Sequence, residues 1–186
     1  MAIRKLRPSR YQVRETGRTA FFNTPITMTS KEADACVQQA VENFKQGYNC
    51  CQAVVAAFAP YYNLDQDMAL RVSAGFGGGV GRMRMMCGAV SGMVIVAGLE
   101  DGQTQGSDNA GKAECYKTVQ QLVNAFKEEN GSIICAELLA MNKCPVVKNT
   151  NVPDARTVEY YKARPCAQKV ESAARIVADY LCSKIG

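Results

Sequence analysis

The sequence predicts an all-α protein, a compact multi-helix bundle with an irregular N-terminal arm. Three observations carry this: apolar residues recur at the three- and four-residue spacing of a helix face, residues able to cap helices stand just before those runs, and period-two alternation is scarce. Only Val146-Val147 and the arm offer anything that could pair as strand. With 186 residues, 47% of them hydrophobic and 21% charged, the chain can bury a core and is too apolar for disorder.

Residues 1–28 show no helical period and contain Pro8, Gly17 and Pro25, which predicts the arm, with at most a short extended piece near Ala20 to Phe22. Residues 29–186 are expected to form a single helical domain. It opens at Thr29, where Glu32 three residues on completes a capping box, and Cys36, Val37, Ala40, Val41 and Phe44 make an apolar face ending at Gly47. Asn49 caps a second helix from Cys50 through Val54 and Phe58 to the stop at Pro60, and Asp65 caps a third to about Ala74. Gly75, Gly77, Gly78, Gly79 and Gly81 then break regular structure.

From Cys87 to Leu99 the chain is apolar with the small residues Gly88, Ala89, Gly92 and Ala97, predicting a buried helix at the centre of the bundle. A long helix, about Ala110 to Glu129, closes at Gly131, and Ser132 caps the next, Ile133 to about Met141. After a loop over 145–153, a short helix is expected near Asp154 to Lys162. The last helix has Pro165 in its first turn and runs through Val170, Ala173, Ala174 and Val177 to Leu181.

Arg4, Lys5, Arg7, Arg10, Arg14 and Arg18 against Glu15 place the whole net charge of +5 before residue 19. Such an arm can steer toward anionic surfaces. Apart from Tyr11 it lacks interleaved aromatics, and no nucleic-acid-binding module is present, so no nucleic acid partner is expected. The arm reads as a solvated extension or as a subunit-crossing segment of a homo-oligomer. No run approaches the ~18 consecutive apolar residues of a membrane span, and no secretory signal is visible, so a cytoplasmic location is expected.

Nine cysteines is an odd number, which excludes complete internal pairing and favours reduced thiols or metal-bound thiolates over a disulfide scaffold. Histidine is absent, which removes Ser-His and Cys-His pairs, His-ligated zinc and His-ligated haem. Four cysteines share one position type: Cys50 follows the cap Asn49, Cys87 opens the buried helix, Cys135 stands three after Ser132, and Cys166 follows Pro165. In a first helical turn the free N–H groups and the helix dipole favour a thiolate, lowering its pKa from about 8.5 toward neutrality. One such cysteine reads equally well as a small core residue; four together point to function. Cys36, Cys51, Cys115 and Cys182 read as packing residues, and Cys144, before Pro145 in a loop, is the extra thiol expected to be reactive through exposure.

Three separated segments, Gly47-Tyr48-Asn49-Cys50-Cys51-Gln52-Ala53-Val54, Gly75-Phe76-Gly77-Gly78-Gly79-Val80-Gly81-Arg82-Met83 and Cys87-Gly88-Ala89-Val90-Ser91-Gly92, resemble the C-GCAxxG-C-C family. The resemblance spans roughly residues 31–182 and puts the family's four cysteines on Cys50, Cys87, Cys135 and Cys166. It implies a redox-active protein, an oxidoreductase or electron carrier, able to hold an iron–sulfur or other prosthetic group. It names no substrate, reaction or redox partner protein.

Four thiolates are the number that an iron–sulfur cluster or a zinc ion requires, yet none of these stands in a Cys-x-x-Cys pair. Two arrangements stay open: a cluster held at four helix starts, or dithiol pairs such as Cys50 with Cys87 cycling with a disulfide. A structural zinc protein, or an interaction protein whose cysteines are core packing, is the alternative of a different class. The glycine-rich segment lacks the Gly-Lys-Ser/Thr ending of a phosphate loop. It reads as a tight crossing that delivers Cys87 into the core, with Arg82 and Arg84 near enough to stabilise a thiolate or bind an anionic substrate. Gly88, Ala89 and Gly92 read as a close-packing motif beside any cofactor. Met83, Met85, Met86 and Met93 read as gap fillers rather than copper ligands.

Overall fold

A computed structural model describes residues 26–146 and 150–184 of the chain. Nearly all of the expected arm and the Val147 end of the candidate strand lie outside these residues. Met28, the arm's last residue, is fully buried against the core.

The capping box expected at Thr29 forms: the Thr29 N–H donates to Glu32 Oε2 at 2.8 Å and the Glu32 N–H donates to Thr29 Oγ1 at 3.3 Å. It starts α1 (Ser30–Lys45), followed by α2 (Cys50–Phe58), a 3-10 turn (Ala59–Tyr62) and α3 (Gln66–Ala74). Beyond the glycine segment come α4 (Gly88–Asp101), α5 (Asn109–Asn130), α6 (Cys135–Met141), α7 (Val158–Ala163) and α8 (Cys166–Ser183). Among the described residues there is no strand, so the chain is all-α; an isolated antiparallel bridge pairs Met86 with Ile134.

Four helix starts differ from expectation. The bridge holds residues on both sides extended, so Cys87 is the N-cap of α4 rather than part of its first turn. For the same reason α6 begins at Cys135 and not at Ile133: the Cys135 N–H donates to Met85 O at 2.7 Å, and Ser132 Oγ accepts from the Ile134 N–H at 2.9 Å. Pro165 is the N-cap of α8, its carbonyl accepting from Lys169 N–H at 3.0 Å. The short helix starts at Val158, where Thr157 Oγ1 accepts from the Tyr160 N–H at 3.2 Å, because Asp154 is held by arginines instead.

α4 packs against α2, α5 and α8, with Gly88 through Met93 all buried, which places it at the centre as expected. A Cβ at Gly92 would fall 2.9 Å from Val54 Cβ and 3.0 Å from Cys51 O, so the missing side chain is what lets α2 and α4 approach. α1 covers α2 and α8. Phe44, Phe58, Met93, Phe126 and Leu181 are fully buried in the shared core, each worth about 1.5–3 kcal/mol of burial.

At the far end of α4, Lys184 Nζ pairs with Glu100 Oε1 at 2.8 Å and Asp101 Oδ1 at 2.7 Å. The Tyr62 and Tyr180 hydroxyls donate to the same two carboxylates. This lock fixes α4 against α8 while the opposite helix ends, the starts of α2, α4, α6 and α8, meet at one cavity.

Candidate functional site

The glycine-rich crossing builds one wall of that cavity. Gly78, Gly79, Val80, Gly81, Arg82 and Arg84 all have positive φ, and the segment folds back on itself, the Gly81 N–H donating to Gly75 O at 2.8 Å and the Met85 N–H to Gly79 O at 3.1 Å. At Gly79 (φ +73°) a Cβ would fall 2.7 Å from Cys135 Cβ. Val80 is β-branched at φ +57°, a conformation costing on the order of 1–3 kcal/mol. The turn aims Arg82 and Arg84 at the cavity and leaves Met83 and Met85 exposed. These two methionines are therefore not the gap fillers the sequence suggested; Met93 is, being fully buried.

The cavity encloses about 380 Å³, and all four motif cysteines line it. Asn49 orders the first of them: its Oδ1 accepts from the Cys51 and Gln52 N–H groups, both at 3.0 Å, and its Nδ2 donates to Ala74 O at 2.9 Å, tying α2 to the end of α3. Cys50 and Cys166 titrate as a pair in which a hydrogen bond from Cys50 favours the Cys166 thiolate. That hydrogen bond, followed by the charges of Arg164, Arg156 and Arg84, outweighs burial and lowers the Cys166 pKa to about 7.

The other three thiols move the opposite way. Cys50 is raised as the proton donor to Cys166 and by burial. Burial pushes Cys87 up to about 12 against the Ala89 and Val90 N–H groups. Burial also raises Cys135, opposed by Arg84, whose Nη1 lies 4.0 Å from its sulfur. Cys166 alone of the four is acidic, and its neighbours rather than its helix start make it so; at the other three, dehydrating a thiolate costs more than a helix dipole returns.

Arg82 reaches no cysteine. It forks onto Asp154 at 3.0 and 3.2 Å and donates through Nε to Thr150 O at 3.2 Å. Arg164 and Arg84 share that carboxylate at 3.0 and 4.0 Å, and Asp154 is held below the usual carboxylate range, first by the Arg82 hydrogen bonds. Arg156 lies over the rings of Phe44 and Tyr160, 4.6 and 4.7 Å from their centroids. Its Nη2 donates to Tyr48 O at 3.4 Å, while its buried Nη1 has no hydrogen-bond partner among the described residues.

Of the motif residues read as lying beside a cofactor, only Gly88 lines the cavity; a Cβ there would fall 3.2 Å from Cys50 Cβ. Ala89 and Gly92 are packing residues inside the bundle. Cys144 is buried, not exposed: its thiol donates to Ala163 O at 2.9 Å, and it packs with Cys135 and Leu139. Cys36 and Cys51 are buried, as packing residues would be.

Asp154, Arg156, Arg164 and Lys169 were not singled out by the sequence reading. A signal was there in Arg164-Pro165-Cys166-x-x-Lys169: a cation precedes a motif cysteine and another follows it by one helical turn, on the same face. Among the described residues, no three cysteine, aspartate or glutamate side chains lie close enough together to hold one metal ion. Among the same residues, no helix is long and apolar enough to cross a membrane.

A family model described as "Putative redox-active protein (C_GCAxxG_C_C)" matches residues 48–180. No curated protein and no solved structure matches the chain.

Proposed function

The chain belongs to the C_GCAxxG_C_C family, and from that membership we propose that it is a thiol redox protein whose reacting pair is Cys166 and Cys50. The observation that carries this reading is that Cys50 and Cys166 line one cavity walled by guanidinium groups, where each thiol shifts the other's ionisation. The pairing favours Cys50 with Cys166 over Cys50 with Cys87.

The chemistry follows from the asymmetry of the pair. Cys166, ionised near neutral pH, attacks one sulfur of a substrate disulfide; a mixed disulfide forms and the other substrate sulfur leaves as a thiolate. Cys50, until then the proton donor, gives up its proton to solvent or to the departing thiolate. Its sulfur then attacks Cys166, releasing the second substrate thiolate and closing a Cys50–Cys166 disulfide. Two electrons pass from the dithiol to the substrate, and a dithiol reductant restores the starting state.

A second reading is favoured by one observation, that all four cysteines line the same cavity. The donor set suits an iron–sulfur cluster better than a single zinc ion, since four thiolates spread around a cavity ringed by cations match a cluster's size and negative charge. Cys50, Cys87, Cys135 and Cys166 would hold it, and it would supply one-electron transfer.

The experiment is a single turnover by fully reduced full-length protein, freed of metal, on bis(2-hydroxyethyl) disulfide, with iron and acid-labile sulfide measured beforehand on anaerobically purified protein. Thiol exchange predicts two electrons delivered per chain and no turnover in Cys166→Ser. Iron and sulfide lost together in Cys87→Ser would establish the second reading instead.

A further inference from the structure

Among the described residues, five cations line the cavity, Arg82, Arg84, Arg156, Arg164 and Lys169, against one carboxylate, Asp154. Three of the guanidinium groups converge on that single carboxylate, so among the described residues cations outnumber carboxylates on the wall. Lys169 Nζ is held by Asn130 Oδ1 at 2.8 Å, a neutral partner, and the buried Nη1 of Arg156 has none among the described residues. Like charges gathered in a concave, partly dehydrated wall repel one another unless an anion enters. At about 380 Å³ the cavity has the size of a small-molecule site rather than a protein-docking face.

We propose that the cavity selects a small disulfide carrying at least two carboxylate or phosphate groups, met by Arg156 and Lys169 while its sulfur bond lies at Cys166. This rests on the thiol-exchange reading above and names its substrate class. Lys169 stands one helical turn after Cys166 on α8, so it faces the same cavity as the sulfur and can hold one anionic arm beside the attacked bond. Asp154 braces Arg82, Arg84 and Arg164 on one carboxylate, which cannot balance three guanidinium groups. The exchange delivers two electrons from the dithiol to the disulfide and releases two small anionic thiols.

The test compares three disulfides in single turnover by the reduced full chain: dithiodiglycolate, with two carboxylates, bis(2-hydroxyethyl) disulfide, neutral, and cystamine, with two ammonium groups. Each rate is divided by that of dithiothreitol, a neutral dithiol, on the same disulfide, which removes intrinsic reactivity. The expected order is anionic over neutral by at least about tenfold, with the cationic compound slowest. Lys169→Gln should lower the anionic-to-neutral ratio severalfold; the ratio cancels any change in the thiolate itself. Succinate, which cannot react, should slow alkylation of Cys166 by neutral iodoacetamide.

Cys166-dependent reduction with no charge preference and no protection by succinate overturns this inference and leaves thiol exchange standing. Failure to reduce any of the three sinks the thiol-exchange reading, and the disulfide substrate falls with it. Preference for cystamine contradicts the inference outright.

Discussion

Gly79 and Cys135 stand so close that a Cβ on the glycine would lie 2.7 Å from the cysteine's Cβ and 2.9 Å from the Met85 nitrogen. The glycine also needs its positive φ of +73°. Gly79→Ala should therefore cost at least about 2 kcal/mol through backbone strain and overlap together. Urea denaturation checks this, with Gly98→Ala as the contrast: Gly98 lies in α4 with open space beside it, and alanine there should stabilise by up to about 1 kcal/mol.

The acidity of Cys166 should depend on its neighbours. Alkylation of Cys166 by iodoacetamide, followed residue by residue with mass spectrometry, is expected to rise with pH around a midpoint of about 7. Cys50→Ala removes the hydrogen-bond donor and Arg164→Gln removes a nearby positive charge; each should raise the midpoint and slow alkylation at pH 7. An unmoved midpoint in both variants would show that neither group sets it.

Much of this was written in the sequence, because the signals are local. Thr29, Asn49 and Asp65 cap helices through contacts within three residues, and they start α1, α2 and α3 where expected. The four motif cysteines could be singled out by their positions at helix starts. What could not be read is set by distant partners. The Met86–Ile134 bridge shifts two helix starts, and Cys144 is hidden by Ala163, nineteen residues on. Which thiol ionises depends on how much water each loses and on which arginines reach it, and periodicity carries neither.

Alkaline pH should weaken the fold. Burial raises Cys51 and Cys87 from 9.0 to about 12, so above pH 9 the unfolded chain has lost thiol protons that the folded chain retains. Their contribution is complete below about pH 9 and is lost as pH rises toward 12. Cys166 has the reverse sign, its contribution complete above pH 9 and lost as pH falls through about 7. Urea midpoints of reduced protein should fall between pH 8 and about 10.5, and less steeply in Cys51→Ala.

Among the described residues, Lys184 is the only cation paired with the Glu100 carboxylate, whose side chain is 3% exposed. Lys184→Met leaves that charge buried without its partner and should cost about 3 kcal/mol. The exposed pair of Arg175 with Asp34 offers the comparison: Arg175→Gln should change stability by less than about 1 kcal/mol. Thermal or urea unfolding of the two variants side by side decides between them.

The pairing of Cys50 with Cys166 is tested by mapping the disulfide formed when fully reduced, metal-free full-length protein meets one equivalent of diamide. One principal linkage is expected, Cys50 to Cys166, with the other seven cysteines still reduced. A principal linkage that excludes Cys166, or nine thiols left untouched, would contradict it.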